Sequence, residues 1–179
     1  MTKICFDIGN KNNQFDQYAQ KLACFDFDHT LVKPKDNHVN IKGIMLKNGR
    51  AFPVDAADWQ WLRPSVPAII DKLYSDGFSI IVITNQTKEW KLDMIKDALN
   101  ELKIPIKVIV GFGSIKKDPE AIVKPNALLF DSNIKFDKEQ SFFCGDAAGR
   151  SSDFSDSDFQ FAKNIGMNAT NILYKDIIY

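Results

Sequence analysis

Four short apolar runs, each followed at once by polar residues, constrain the fold of this chain more than any other feature. The runs span residues 21–27, 78–83, 106–110 and 141–144. Runs this apolar are typical of strands that are buried on both faces, as in parallel sheets. Residues 4–8 predict a further strand at an edge of the sheet.

Helical patterns fill the intervals between these runs. One pattern begins after Ser65 and ends before Gly77, and the others span residues 88–102, 126–130 and 156–165. Glycine just past a helical pattern is a common stop signal. The alternation of strands and helices predicts an α/β fold, a Rossmann-like, doubly wound parallel sheet with helices on both faces.

Residues 32–61 interrupt the alternation, since they form a long segment without a strong helical pattern. Within it, Asn48-Gly49 is the dipeptide that favours a two-residue hairpin turn, here between residues 45 and 52. We therefore predict a small hairpin insertion, or flap, after the first strand of the site. No repeat or low-complexity linker is present, so residues 1–179 are expected to form one domain.

Charge and cysteine content narrow the classes of function. The 23 Lys and Arg residues balance 23 Asp and Glu residues. Zero net charge argues against wrapping a long nucleic acid, but it permits contact with a few phosphates at a strand end. The three cysteines form no CxxC or Cys/His cluster, which argues against a disulfide framework or a zinc site. We expect an intracellular protein, cytoplasmic or nuclear and of cellular or viral origin, with no membrane span.

Ligands of doubly wound sheets bind beyond the carboxyl ends of the strands. Several carboxylates that converge there need a cation, and an all-oxygen ligand set favours Mg²⁺. A lysine and a threonine hydroxyl beside that cation would face an anion, so the pattern predicts a site for a phosphoryl group. The polar residues expected to share this crevice are Asp26, Asp28, Thr30, Thr84, Asn85, Lys124, Asp146 and Asp153.

Four short segments that contain these residues resemble the motifs of one enzyme superfamily. Residues 26–31, Asp-Phe-Asp-His-Thr-Leu, resemble the first motif, DxDGT, of the haloacid dehalogenase superfamily of phosphohydrolases. Thr84-Asn85, Lys124-Pro125 and Gly145-Asp146 resemble its second, third and fourth motifs. All four occur in order, which makes the combined resemblance far more specific than any single motif.

A narrower resemblance rests on residues 145–150, Gly-Asp-Ala-Ala-Gly-Arg, followed by Asp153-Phe154-Ser155. This block is similar to the phosphatase domain of polynucleotide kinase 3'-phosphatases. Further matches at Asp58-Trp59-Gln60-Trp61 and Thr84-Asn85-Gln86 extend the resemblance over roughly residues 22–167. The sequence contains no G-x-x-x-x-G-K-S/T loop, so no kinase domain is expected.

The resemblance implies a nucleophile, a proton-transfer group and a metal site. Asp26 would attack phosphorus and become an aspartyl-phosphate. Asp28 would give a proton to the leaving 3' oxygen and later take one from water. Mg²⁺ would lie between the Asp26 carboxylate, the Asp28 backbone carbonyl and Asp146. Asp153 would support that metal directly or through water.

The resemblance also implies residues that bind the substrate. Thr84, the backbone of Asn85 and the side chain of Lys124 would hold the phosphoryl oxygens. Thr30 would lie on the substrate side of the first motif. Arg150 would either steady Asp146 or reach the substrate strand.

Three further interpretations bear on the site. His29 stands where the superfamily usually has glycine, and we interpret it as a tolerated variant without a role in proton transfer. Asp156 is interpreted as the N-cap of the last helix, with Asp158 in its first turn rather than in a metal cluster. The residues expected to form a basic rim around the crevice are Lys88, Lys91, Lys116, Lys117 and Arg150.

The resemblance implies a monomeric, Mg²⁺-dependent polynucleotide 3'-phosphatase that converts 3'-phosphate ends of DNA to 3'-hydroxyls during end repair. Its partner would be 3'-phosphorylated DNA, with no membrane association. Two alternatives stay open. One is a phosphatase of the same superfamily that acts on a small phosphorylated metabolite, and the other is an inactive module that recognises DNA ends.

Overall fold

A five-stranded sheet dominates the protein, whose computed structural model describes residues 2–9, 15–16, 18, 20–35, 51–151 and 153–167. The strands lie in the order β1-β6-β5-β2-β7, and β3 and β4 form a separate ribbon. In chain order the strands are β1 Thr2–Ile8, β2 Leu22–Phe25, β3 Val32–Lys33, β4 Gln60–Trp61, β5 Ser79–Gln86, β6 Ile106–Phe112 and β7 Phe142–Cys144.

The sheet is mostly parallel, which confirms the α/β fold predicted from the apolar runs. β2 pairs in parallel with β5 and with β7, and β5 pairs in parallel with β6. β1 covers the outer edge of β6 in the antiparallel direction. The carboxyl ends of β2, β5, β6 and β7 therefore lie at the same edge of the sheet.

β1, β5 and β6 extend beyond their predicted ends, and the extension of β5 affects the site. The apolar run ends at Ile83, but β5 continues to Gln86 because its polar residues still pair with β6, as Thr84 opposite Val110 and Asn85 opposite Gly111. Thr84 and Asn85 are therefore held within the sheet instead of following it.

Among the described residues, three helices flank the sheet: α1 Val66–Ser75, α2 Lys91–Asn100 and α3 Ser157–Asn164. α1 begins after Ser65, as predicted, although the Ser65 side chain makes no capping hydrogen bond. The predicted helix at 126–130 is a 3₁₀ turn, Ala127–Leu129, in which Asn126 Oδ1 accepts a hydrogen bond from the Leu128 amide at 3.0 Å. None of the helices in the described part of the chain has the length and apolar character needed to cross a bilayer.

The sheet has an apolar core on each face, which explains why its central strand β2 is apolar throughout. Ala23 and Phe25 of β2 pack in the cluster that includes residues of α1 and α2. Leu22 and Cys24 point the other way and pack in the cluster that includes α3 and the 3₁₀ turn. Side chains alternate across a strand, so a strand buried on both sides needs apolar residues at every position.

The segment predicted as a flap is tied down at its base. β3 and β4 pair in the antiparallel direction at the two ends of residues 32–61. The buried Asp58 carboxylate accepts hydrogen bonds from the backbone amides of Lys35 at 3.1 Å and Val54 at 2.9 Å. Residues 36–50, which include most of the predicted Asn-Gly hairpin, lie outside the described residues.

Candidate active site

A pocket of about 600 Å³ opens at the carboxyl edge of the sheet. It lies where β2, β5 and β7 end, because the parallel pairing brings these three ends together. The Asp26 amide donates to the carbonyl of Cys144, which fixes the end of β2 against the end of β7. The residues predicted for the crevice that line this pocket are Asp26, Asp28, Thr84, Asn85, Lys124 and Asp146.

A tight turn after β2 brings Asp26 and Asp28 into the same pocket. The Leu31 amide donates to the Phe27 carbonyl at 2.9 Å, and the His29 amide donates to the Val32 carbonyl at 2.8 Å. His29 adopts a left-handed conformation with φ of +57°. This conformation costs a residue with a Cβ atom about 1–2 kcal/mol, whereas glycine adopts it without that cost. Because β2 ends at Phe25, this turn, and not the strand, directs both acids into the pocket.

Three buried carboxylates form the centre of the site. One oxygen each from Asp26, Asp146 and Asp158 lies within 4.8 Å of the others. Lys124 Nζ lies 2.7 Å from Asp26 Oδ1 and 2.6 Å from Asp158 Oδ1, and its side chain is 3% exposed. Two of the three carboxylates thus share one ammonium group.

Asp158 belongs to this cluster, although its sequence position indicated only the first turn of a helix. Its Oδ2 accepts a hydrogen bond from the Ala147 amide at 3.0 Å. The sequence carries a signal for the burial of Asp158, which is its helical spacing from two apolar residues. Phe161 and Ala162 follow it by three and four positions, and all three residues form the buried face of α3. Asp156 does occupy the N-cap position, without a side-chain capping hydrogen bond.

Gly145 makes room for the Asp158 carboxylate. A Cβ atom at position 145 would lie 2.2 Å from Asp158 Oδ2, far closer than two such atoms can approach. The glycine of the fourth motif therefore has a packing role, since it lets α3 bring its acid against the end of β7.

Asp153 lies outside the carboxylate cluster. Arg150 Nε lies 2.8 Å from its Oδ2, which also accepts hydrogen bonds from the amides of Ala148 at 3.0 Å and Arg150 at 3.1 Å. Burial raises the pKa of Asp153, but these donors outweigh it and hold the pKa below its ordinary value. Arg150 also donates to the Asp146 carbonyl at 3.3 Å. Asp153 and Arg150 therefore brace the loop that presents Asp146.

The residues predicted to bind substrate take three different positions. Asn85 clamps the backbone of Lys124, since its side chain accepts from the Lys124 amide at 2.7 Å and donates to the Lys124 carbonyl at 3.1 Å. Thr84 is buried, and its Oγ1 accepts from Gln86 Nε2 at 3.0 Å. Thr30 is fully buried and does not line the pocket.

Burial and like charge raise the pKa of Asp26 to about 7. Loss of solvation is the largest cause, Lys124 opposes it, and the carboxylates of Asp158 and Asp146 add to it. Burial also lowers the pKa of Lys124, but Asp158 and Asp26 outweigh that effect and raise it above its ordinary value. The lysine therefore stays charged. A hard divalent cation with oxygen ligands suits this donor set.

We expect Mg²⁺ to stabilise the protein more at about pH 8 than at about pH 5.5. The raised pKa of Asp26 means that the folded protein keeps that proton up to about pH 7. Below that pH the proton competes with the cation, and the stability that this proton provides is lost as the pH rises through about 7 unless a cation binds. At about 100 times its Kd, Mg²⁺ should add about 2.7 kcal/mol, or roughly 5–10 °C in Tm.

Calorimetry in Mg²⁺ and in EDTA at the two pH values checks this expectation. In EDTA the Asp26 contribution should lower the Tm as the pH rises through about 7, and Mg²⁺ should remove that decline. Equal Mg²⁺ shifts at both pH values, or no shift, would contradict a cation site at Asp26.

The chain matches known proteins over most of its length. Residues 21–171 match the family described as Polynucleotide kinase 3 phosphatase. The chain is 34% identical to the "Bifunctional polynucleotide phosphatase/kinase" of Schizosaccharomyces pombe, in a match that covers 83% of this chain and 36% of that protein. It is 29% identical to "Polynucleotide 3'-phosphatase ZDP" of Arabidopsis thaliana, in a match that covers 83% of this chain and 23% of that protein. The chain thus spans about a third and a quarter of the length of these two relatives.

The match to a third relative covers most of both proteins. The "Polynucleotide 3'-phosphatase" of Saccharomyces cerevisiae is 23% identical, and the match covers 84% of each protein.

Proposed function

Because the chain belongs to the polynucleotide kinase 3 phosphatase family, we propose that it is a polynucleotide 3'-phosphatase that removes 3'-phosphates from DNA ends in repair. Family membership confirms the resemblance stated for the sequence motifs. The observation that carries the proposal is the arrangement of three side chains in the pocket. The ammonium nitrogen of Lys124 lies 2.7 Å from a carboxylate oxygen of Asp26 and 2.6 Å from one of Asp158. Such an activity would act inside the cell, where nucleic acid ends are processed.

In the proposed reaction Asp26 is the nucleophile. One of its carboxylate oxygens forms a bond to phosphorus while the bond from phosphorus to the 3' oxygen breaks, which leaves an aspartyl-phosphate. The 3' oxygen leaves with the proton of the Asp28 carboxyl group and becomes the 3'-hydroxyl. A water molecule then attacks the same phosphorus, gives its proton to Asp28, and releases inorganic phosphate and the free Asp26 carboxylate.

We place the proposed cation site at the cluster of buried carboxylates. Asp26, Asp146 and Asp158 would hold Mg²⁺, together with the Asp28 backbone carbonyl that the motif resemblance implies. When bound, the cation supplies positive charge that stabilises a phosphoryl group beside three carboxylates. Asp153 would act through Arg150 and the loop that presents Asp146.

Lys124 and Thr84 would contact the phosphoryl group. Lys124 is buried and charged, and its ammonium group lies beside the nucleophile where phosphoryl oxygens would arrive. Asn85 would position Lys124 by holding its backbone on both sides. Thr84 lines the pocket from β5, so its hydroxyl group can donate to a phosphoryl oxygen.

The rim of the pocket favours a nucleotide over a small sugar phosphate. Phe52 and Phe154 line the pocket and are 37% and 57% exposed, and Lys116 lines it as well. Aromatic rings beside a cation suit the stacking of a terminal base next to a bound phosphate. Zero net charge suits contact with few phosphates, so log affinity should fall with log salt with a slope of about −1 to −3.

Phosphate release from a 3'-phosphorylated oligonucleotide tests the proposal. We expect turnover in Mg²⁺ and none in EDTA, with little release from the same oligonucleotide phosphorylated at its 5' end. A panel of sugar phosphates tests the alternative substrate class. Turnover of a sugar phosphate without release from DNA would overturn the proposal, and binding of DNA ends without any turnover would favour an inactive recognition module.

A further inference from the structure

The carboxylate of Asp28 is held on both of its oxygens by side chains that the motifs do not include among the reacting groups. Lys91 Nζ lies 2.5 Å from Oδ1, and Gln86 Nε2 donates to Oδ2 at 2.8 Å. Gln86 is the last residue of β5, and Lys91 is the first residue of α2. Two separate elements thus converge on one side chain.

Lys91 is buried instead of forming part of a basic rim. It is 5% exposed, and its ammonium nitrogen lies 3.5 Å from Met94 Sδ and 5.5 Å from the centre of the Trp90 ring. A lysine is almost never buried to this extent unless its charge is paired. Its partner is Asp28, so Lys91 is not presented to a DNA backbone.

We propose that Lys91 and Gln86 are positioning residues that hold the Asp28 carboxyl group where it exchanges protons with the leaving oxygen and with water. The inference rests on the proposed function, because it needs Asp28 to be the proton-transfer group. Each carboxylate oxygen has two lone pairs, so one contact on each still leaves room for the transferred proton.

Gln86 also couples this group to the phosphate site. Its Nε2 donates to Asp28 Oδ2 and to Thr84 Oγ1, at 2.8 and 3.0 Å. One amide group therefore fixes the proton-transfer side chain relative to a residue that would bind the phosphoryl group. A displacement of about 1 Å in such an arrangement can cost about 10²-fold in rate.

The identity of the leaving atom distinguishes this role from general support of the fold. A 3' alkoxide is a strong base and needs a proton as it leaves, whereas a 3' thiolate leaves without one. Loss of a well-placed proton donor should therefore slow an oxygen-linked terminus much more than a sulfur-linked one. Damage to folding or to phosphate binding would slow both substrates equally.

The experiment compares two oligonucleotides of the same sequence, one with a 3'-phosphate and one with a 3'-S-phosphorothiolate terminus. We expect Lys91→Met to lower kcat for the 3'-phosphate by about 10–10², within the range for general acid catalysis, and to change the sulfur-linked substrate less than about 3-fold. The matched control is Lys96→Met on the same helix, where the lysine side chain is 51% exposed, and it should change neither rate.

Two further variants complete the test. In an Asp28→Asn background, Lys91→Met should add little loss, since both changes remove the same step. Gln86→Leu should likewise slow the oxygen-linked substrate more than the sulfur-linked one, and it tests the contact on the other oxygen of Asp28 if Lys91→Met does not fold. Equal losses on both substrates, or none, in the variants that fold would overturn the inference. A wild-type enzyme without any 3'-phosphatase activity would instead refute the proposed function.

Discussion

Asp26→Asn should lower phosphate release from 3'-phosphorylated DNA by at least about 10⁴-fold, as expected when a covalent nucleophile is removed. An amide oxygen is a poor nucleophile, so the covalent step should be lost. Single-turnover measurements with excess enzyme would isolate the chemical step from product release. The matched control is Asp71→Asn, which changes an exposed aspartate on α1.

The same variant separates loss of chemistry from loss of structure. The pKa of Asp26 is raised to about 7, so its ionised form costs stability in the absence of a cation at about pH 8. The asparagine side chain carries no charge and can still accept a hydrogen bond from Lys124. We therefore expect the Tm of Asp26→Asn in EDTA at about pH 8 to equal or exceed that of the wild type. Retained turnover in a folded variant would refute Asp26 as the nucleophile.

Lys124→Met should lower kcat by about 10²–10³, the range measured when one stabilising donor is removed from a transition state. It should also lower the free energy of unfolding by about 3–5 kcal/mol, because the carboxylates of Asp26 and Asp158 would remain buried without their ammonium partner. Steady-state kinetics and urea unfolding measure the two effects separately.

The stability loss in Lys124→Met should depend on pH and on Mg²⁺. Protonation of the carboxylates at low pH, or binding of the cation, replaces part of the missing positive charge. The control is Lys163→Met, an exposed lysine on α3, which should change neither quantity by more than experimental error. A variant with wild-type kcat would show that Lys124 supports the carboxylates without contacting the phosphoryl group.

The strand pattern and the order of the motifs were enough to predict the parallel sheet and the shared crevice. Both follow from local rules, since apolar runs predict buried strands and parallel strands end at one edge. The extension of β5 through Thr84 and Asn85 could not be predicted from hydrophobicity, because it depends on pairing with β6. Polar residues continue a strand wherever a neighbour supplies hydrogen bonds.

The charged residues were harder to place from the sequence. The sequence pattern indicates an ordinary acid at a helix start for Asp158 and a place in the basic rim for Lys91, yet both residues are buried. Exposure is the usual state of such residues, and the exceptions depend on a partner that is distant in the chain. Lys124 provides that partner for Asp158, and Asp28 provides it for Lys91.

The position of β2 between β5 and β7 has a consequence for biosynthesis. Asp26 is synthesised before β7 and α3, the two elements that bring Asp146 and Asp158 to it. A nascent chain that has not yet released α3 from the ribosome can hold at most part of the acidic cluster. Parallel pairing between such distant segments is slow to form. We therefore expect cation affinity to arise only once α3 has left the ribosome and packed against β7, so that no shorter nascent chain sequesters Mg²⁺ at this cluster.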